Sequence, residues 1–380
     1  MRLDSIAATA PQLIERLERF RSFTMAHPRL MEARDELVDA IDGAAPGSLV
    51  FVLGPTGVGK TTVRMKVEDL LIQQMTPAMT ADPGKLPYAS VEVVPPDTGR
   101  FRWRDYFSRL LAAMNEPLVE FKTSRRGGYT KAPTGPMMGS AELGYAVEQA
   151  LRYRHPPVVF VDEAQHLARI ASGRRLSDQL DVIKSIANRT ETVHVLLGTY
   201  ELLAFRNLSA QLSRRSVDLH FQRYRADCAE DRQVFRGVLL TFQKQLPLPK
   251  PEPDLVATWE FLYERSVGCV GILKEWLMRA CVRAIKHGAV ALSREHLERT
   301  ALSISQCEKI LAESREGETR LNDHDGRPRL RTLLGIEPQA RGGSAAERDK
   351  TAPLGGRKRG RPGQRAPRRD PTTREVAAYA

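Results

Sequence analysis

An α/β fold is expected for the first part of this 380-residue chain: a three-layer domain with a parallel sheet between helices, followed by a small all-helical domain and a disordered basic tail. Three observations predict it. Four short apolar runs alternate with helical patterns, which calls for a parallel sheet covered on both faces. The first run leads straight into a glycine-rich loop and then a helix. From about Arg225 the strand signal stops and only helical periodicity continues.

In chain order, Met1–Ala44 reads as an N-terminal helical segment: Leu13, Leu17 and Phe20 share a face, and Leu30, Leu37 and Ile41 resume the pattern after the His27-Pro28 break. Residues 45–224 hold the sheet. Ser48–Leu53 is fully apolar and rich in branched residues, as a strand buried on both faces requires. A helix with Val63, Val67, Leu70 and Leu71 on one face follows, then the strand Ala89–Val94 and the helix Phe101–Met114. Glu116–Ser140 is loop-like and basic. Helix Ala141–Tyr153 leads to strand Pro157–Val161, and a helix near Leu176–Asn188 leads to strand Val193–Leu197. Residues 225–312 read as four helices, Asp227–Gln245, Asp254–Ser266, Gly271–His287 and Ser293–Leu311. Beyond Glu313 the periodicity fails, so 313–380 is expected to be linker and disordered tail.

Composition narrows the class. Hydrophobic residues at 42% and charged residues at 27% exclude wholesale disorder. No apolar run reaches the roughly 18–20 residues of a bilayer span, and the start Met1-Arg-Leu-Asp-Ser lacks the apolar core of a secretory signal. The expectation is a cytoplasmic protein with no membrane partner. Cys228, Cys269, Cys281 and Cys307 are widely spaced with no CxxC pair, so reduced buried thiols are expected rather than a disulfide framework or a zinc site. A net charge of +12 points to a polyanionic partner. Arg341–Ala380 carries 11 basic and 4 acidic residues, so more than half of the excess lies in the tail and the remainder is only mildly basic.

Gly54-Pro55-Thr56-Gly57-Val58-Gly59-Lys60-Thr61, followed by Thr62, fits G-x-x-x-x-G-K-[ST] between a strand and a helix. The glycines let backbone N–H groups face phosphate oxygens, and the helix adds its positive end. Lys60 is expected to reach the β- and γ-phosphates of ATP, and the Thr61 hydroxyl to ligate Mg²⁺. Val158-Val-Phe-Val161-Asp162-Glu163 is an apolar strand ending in two acids, the Walker B pattern. Asp162 would hold Mg²⁺ through water, and Glu163 would orient and deprotonate the attacking water. The pair marks a hydrolysing ATPase rather than a passive binder.

With these residues the chain, from about Leu30 to Ile310, resembles the AAA+ ATPases and more narrowly the TnsC/TniB regulators of DNA transposition. The resemblance rests on GPTGVGKT, VVFVDEAQHL, the strand VLLGT ending at Thr199, and Gln211-Leu-Ser-Arg214-Arg215 before Phe221. It implies that Thr199 is sensor 1, the alternative being a cap on the helix that begins near Tyr200. It implies that Arg214 or Arg215 is an arginine finger entering a neighbouring subunit's site, and that Lys274 stands roughly where sensor 2 sits. It further implies an ATP-bound homo-oligomer, ring or helical, on double-stranded DNA, which recruits a TniQ-type targeting protein and a DDE transposase and is disassembled by hydrolysis. Such a protein would be nucleoid-associated.

In that family DNA is tracked by elements after the second strand. Arg100, Arg102 and Arg104 precede or begin one helix here, and Lys122, Arg125 and Arg126 follow it. Contacts to the DNA backbone from such a group are sequence-tolerant and salt-sensitive. In the tail, seven basic residues and no acid lie between Arg357 and Arg369, among them Lys358, Arg359 and Arg361. Arg359-Gly-Arg361-Pro362 resembles an AT-hook core. The composition favours a nonspecific polycation over A·T preference, and a transposase-binding role stays open. Two rival functions also stay open: a helicase loader or replication helper, and an ATP-gated scaffold in secretion or signalling that binds no DNA.

Overall fold

The computed structural model describes residues 11–95, 101–117, 119, 140–168, 174–206, 216–248, 250–252, 254–321 and 327–336. The chain divides into two compact units, Met1–Asp323 and His324–Ala380. The first contains helices α1 (Pro11–Ser22) and α2 (Pro28–Asp42), strand β1 (Leu49–Leu53), α3 (Lys60–Ala81), β2 (Ala89–Glu92), α4 (Trp103–Ala113), α5 (Ser140–Arg154), β3 (Val158–Asp162), α6 (Gln165–Ala168), α7 (Arg174–Thr190) and β4 (Val193–Gly198). A 3₁₀ turn (Tyr200–Leu202), α8 (Leu203–Arg206) and β5 (Ser216–His220) complete the sheet domain. The following lid comprises α9 (Ala229–Gln245), β6 (Lys250–Glu252), α10 (Trp259–Ser266), α11 (Val270–Lys286), β7 (Ala291–Ser293), α12 (Arg294–Glu298) and α13 (Ile304–Leu321). In the second unit the described residues include one helix, α14 (Arg327–Leu333).

The five strands are parallel in the order β2-β3-β4-β1-β5. β1 shows why three layers form. Its side chains alternate across the sheet: Leu49, Phe51 and Leu53 join a core with α4, α5 and α7, whereas Val50 and Val52 join one with α2 and α3. Burial on both faces explains the unbroken apolar run. The register sets Leu53 beside Gly198 and His220, and Glu92 beside Asp162. The strand ends thus align along one edge of the sheet.

β5 escaped the sequence reading for a physical reason. It is an edge strand, Ser-Val-Asp-Leu-His, and only Leu219 is buried, so no apolar run announces it. The lid likewise gains a two-stranded parallel ladder, β6–β7, each strand only three residues long. The helix expected at Ser293–Leu311 is two helices, α12 and α13, because α12 ends at Glu298 with Arg299 as its C-cap. α13 then runs on to Leu321, through the expected boundary at Glu313. Its buried face is Cys307, Ser314 and Gly317, which carries no apolar periodicity.

The N-terminal helices serve different cores. Leu17 and Phe20 of α1 pack in the lid core with Phe242 and Trp276, the rings of Phe20 and Phe242 meeting edge-on at 6.1 Å. Trp276 is fully buried, and its indole N–H donates to Leu297 O at 2.8 Å, so it is a packing residue. The four thiols are free, and three of them are buried. Among the described residues no helix is long and apolar enough to cross a membrane.

Candidate nucleotide site

The loop between β1 and α3 lies at the aligned strand ends. Gly59 caps α3 with φ +117°, a conformation only glycine adopts freely. Gly57 abuts the lid: Gly271 N–H donates to Gly57 O at 2.9 Å, and a Cβ on Gly57 would stand 2.5 Å from the Ile272 side chain. The N-terminus of α11 therefore rests directly on the loop.

Lys60 is buried, and its ammonium donates to Gly54 O at 3.0 Å and Pro55 O at 2.8 Å. Burial lowers its pKa to about 8, against the opposing charges of Glu163, Cys269 and Asp162. Thr61 Oγ1 donates to Asp162 Oδ2 at 2.9 Å. This hydroxyl and carboxylate are hard oxygen donors side by side below the loop, a set that suits Mg²⁺.

Asp162 ends β3 and is buried. It also accepts from Glu163 N–H at 2.9 Å and from Arg64 Nε at 3.1 Å. Arg64 sits one turn into α3 and is braced in turn by Glu68 and by Ser90 Oγ, the latter at 2.7 Å. The sequence reading did not single out Arg64; its spacing from Lys60 marks a helix face but does not reveal what that face meets.

Glu163 has φ +52°, left-handed backbone that costs a non-glycine residue about 1–2 kcal/mol. That turn takes the chain out of β3, and Glu163 lines a cleft of about 630 Å³ with Pro55, Thr56, Thr199 and residues of α13. Ligand pockets fall in the range of about 300–1,000 Å³. The Glu163 carboxylate accepts from Gln165 Nε2, and Gln165 Oε1 accepts from Thr199 N–H at 3.2 Å. Gln165, like Arg64, was absent from the expected site.

Thr199 follows β4. Its hydroxyl makes no capping bond to the 3₁₀ turn, and Oγ1 is buried without a partner among the described residues. The cap geometry weighed from the sequence is thus not formed. An orphaned buried hydroxyl costs about 1–3 kcal/mol, unless a ligand supplies its partner.

These strand-tip residues lie together: the loop Gly54–Thr61, Asp162, Glu163 and Thr199. Residues 45–206 match the family model described as AAA domain. Three solved structures are similar to the chain: the ORC2 protein of Aeropyrum pernix in ADPNP-ADP complexes (16% identity, 77% of this chain and 73% of that chain, TM-score 0.48), the Drosophila ORC bound to DNA (14%, 77% and 66%, 0.46) and a Walker-type ATPase of Pyrococcus abyssi (15%, 80% and 77%, 0.46). No functionally curated protein matches the chain.

Other expected residues lie elsewhere. Lys274 is on α11, but its ammonium donates to Arg21 O at the end of α1, 2.9 Å away; the α11 side chain that meets the loop at Gly57 is Ile272. Arg102 and Arg104 are exposed at the start of α4. Arg100, Lys122, Arg125, Arg126, Arg214, Arg215, Arg357, Lys358, Arg359 and Arg361 lie outside the described residues.

Proposed function

We propose that this chain is an ATP-hydrolysing, DNA-binding regulator of DNA transposition. The observation that carries the hydrolytic part is the convergence of Lys60, Thr61, Asp162, Glu163 and Thr199 at one edge of the sheet. Lys60 would leave the loop carbonyls for the β- and γ-phosphates, exchanging two neutral acceptors for charged ones. Thr61 and Asp162 would hold Mg²⁺, which supplies positive charge beside the same phosphates. Glu163 would accept a proton from the attacking water as its oxygen bonds to the γ-phosphorus and the bond to the β-phosphate oxygen breaks, giving ADP and phosphate. The Thr199 hydroxyl, which has no partner among the described residues, would donate to the γ-phosphate or the water. Arg214 or Arg215 would complete the site of a neighbouring subunit.

The regulatory part is supported by the resemblance of the motifs and by the basic residues at Arg100–Arg104, Lys122–Arg126 and Arg357–Arg361. In this reading ATP-bound subunits assemble on double-stranded DNA as a ring or filament in the cytoplasm, at the nucleoid. They recruit a TniQ-type targeting protein and a DDE transposase, and hydrolysis releases them. Glu163→Gln tests it. ATP binding should persist, phosphate release should stop, and assemblies should stay on duplex DNA in electron micrographs. Normal turnover by this variant would remove Glu163 as the base, and isolated monomers with ATP and DNA would refute the assembly.

A further inference from the structure

The turn after β3 is clipped to the end of β4 by two bonds. Ala164 N–H donates to Leu197 O at 2.9 Å, and Thr199 N–H donates to Gln165 Oε1 at 3.2 Å. The second bond passes through a side chain that is only 3% exposed. Gln165 then uses its other end, Nε2, on the Glu163 carboxylate. Chemistry sets the amide's orientation. A backbone N–H can only donate, so it must face Oε1, and a carboxylate can only accept, so it must face Nε2.

The neighbouring sequence is shaped around this amide. A Cβ on Gly198 would lie 2.4 Å from Gln165 Oε1, a distance no real contact tolerates, so glycine there makes room for the bridge. On the same strand end, Thr199 lines the cleft with Glu163, and its hydroxyl is buried without a partner among the described residues. One buried side chain thus ties the base to the residue placed to touch the γ-phosphate.

We propose that Gln165 is a positioning residue for hydrolysis, fixing the Glu163 carboxylate relative to the tip of β4 so that base and Thr199 hydroxyl act on one water. The inference rests on the hydrolytic reading above and adds to it the group that sets the base's aim. Two soft torsions separate a glutamate carboxylate from its Cβ. A base with that freedom spends little time in line, and a misplacement of about 1 Å costs about 10²-fold in rate. The bridge removes that freedom through bonds to protein groups, the Glu163 carboxylate and the Thr199 N–H.

Three variants of the full chain test this. Gln165→Met keeps the volume and removes both bonds. Gln165→Glu keeps the shape but sets a second carboxylate against Glu163 and still accepts from Thr199 N–H. Gly198→Ala displaces the bridge from the other side. Each should lower kcat about 100-fold while KM and the Kd for a non-hydrolysable ATP analogue stay within about twofold. Amide exchange at Thr199 should rise in Gln165→Met and stay low in Gln165→Glu. Combining Gly198→Ala with Gln165→Met should cost no more than either alone, since both break one device. A kcat within threefold of wild type in Gln165→Met or Gln165→Glu, or additive losses in the double variant, would overturn the inference. Equal losses of kcat and nucleotide affinity would also overturn it, because a merely structural residue does that. No turnover by the wild-type protein would refute the hydrolytic reading and take the inference with it.

Discussion

Helix α13 forms the far wall of the candidate nucleotide cleft, and an ion pair with Arg223 helps to hold it there. Arg223, in the linker from β5 to the lid, donates from Nε to Glu318 Oε1 at 2.8 Å and from Nη2 to Oε2 at 3.3 Å. The Arg223 and Glu318 side chains are 8% and 20% exposed. Burial works to lower the Arg223 pKa, but the charge and hydrogen bonding of Glu318 outweigh it and raise the value. Glu318→Ala should strand the guanidinium on the Tyr263 hydroxyl, 3.3 Å away. Breaking a fully buried pair costs about 3–5 kcal/mol and an exposed one about 0–1. The intermediate burial here, nearer the first case, places the cost at about 2–3 kcal/mol. The cheapest escape is to lift α13, which lets water reach Arg223. Just before Glu318 in the chain, Gly317 sits so close to Tyr200 that a Cβ would stand 2.0 Å from its ring, so lifting the helix also frees the residue beside Thr199. The assay is native-state hydrogen exchange over residues 304–321, where 2–3 kcal/mol appears as roughly 30- to 150-fold faster exchange. Arg223→Met combined with Glu318→Leu should restore most of the protection, because no charge is left alone. Exchange in Glu318→Ala within twofold of wild type would refute the reasoning, and so would a double variant as labile as the single.

Three further outcomes are expected. Lys60, held at about pKa 8 by burial, should regain a high pKa on phosphate. ATP binding would then take up a proton above pH 8, and affinity should weaken about tenfold per pH unit from there, as titration calorimetry at pH 7.5, 8.5 and 9.5 would register; a flat profile would contradict the site. Burial lowers the pKa values of His27, where Arg29 adds to it, and of His194 from 6.5 to about 4. Their contribution is complete above pH 6.5 and is lost as pH falls from 6.5 towards 4, about 3 kcal/mol each. His27→Asn keeps an acceptor for Leu30 N–H and should remove one proton from the slope of urea stability against pH. Deleting Arg341–Ala380 should weaken duplex-DNA binding and flatten its salt dependence while ATP turnover continues; an unchanged slope would exclude the tail from DNA contact.

The legible and illegible parts of this molecule differ in one physical respect. β1, β3 and β4 are buried on both faces, so their sequences are apolar apart from His194 and the terminal Asp162, and need no partner to be recognised. The phosphate loop is legible because its chemistry constrains consecutive residues: Gly59 must reach φ +117° where Lys60 begins a helix. β5 needed β1 beside it, since its own sequence buries one leucine in five residues. α13 needed Tyr200, Arg223 and Tyr263 to explain why Ser314, Gly317 and Glu318 lie where an apolar stripe would be expected.

The same distinction separates the two kinds of site residue. Lys60, Asp162 and Glu163 stand at the candidate nucleotide site, and the phosphate chemistry proposed for them selects residue types within two short motifs, Gly54–Thr61 and Val158–Glu163. Arg64 and Gln165 face other protein groups. Arg64 is chosen by Asp162, 98 positions away, and Gln165 by Thr199, 34 positions away. Such residues depend on pairings that only the folded sheet creates, through the alignment of β1, β3 and β4 at one edge. Their partners also predict how they will behave when altered. A residue that faces substrate should change binding or chemistry by itself. One that faces another residue should show its effect as a coupling, lost when either member of the pair is removed. Gly198 and Gln165, like Arg223 and Glu318, are therefore best tested as pairs, and single substitutions alone would misassign what each contributes.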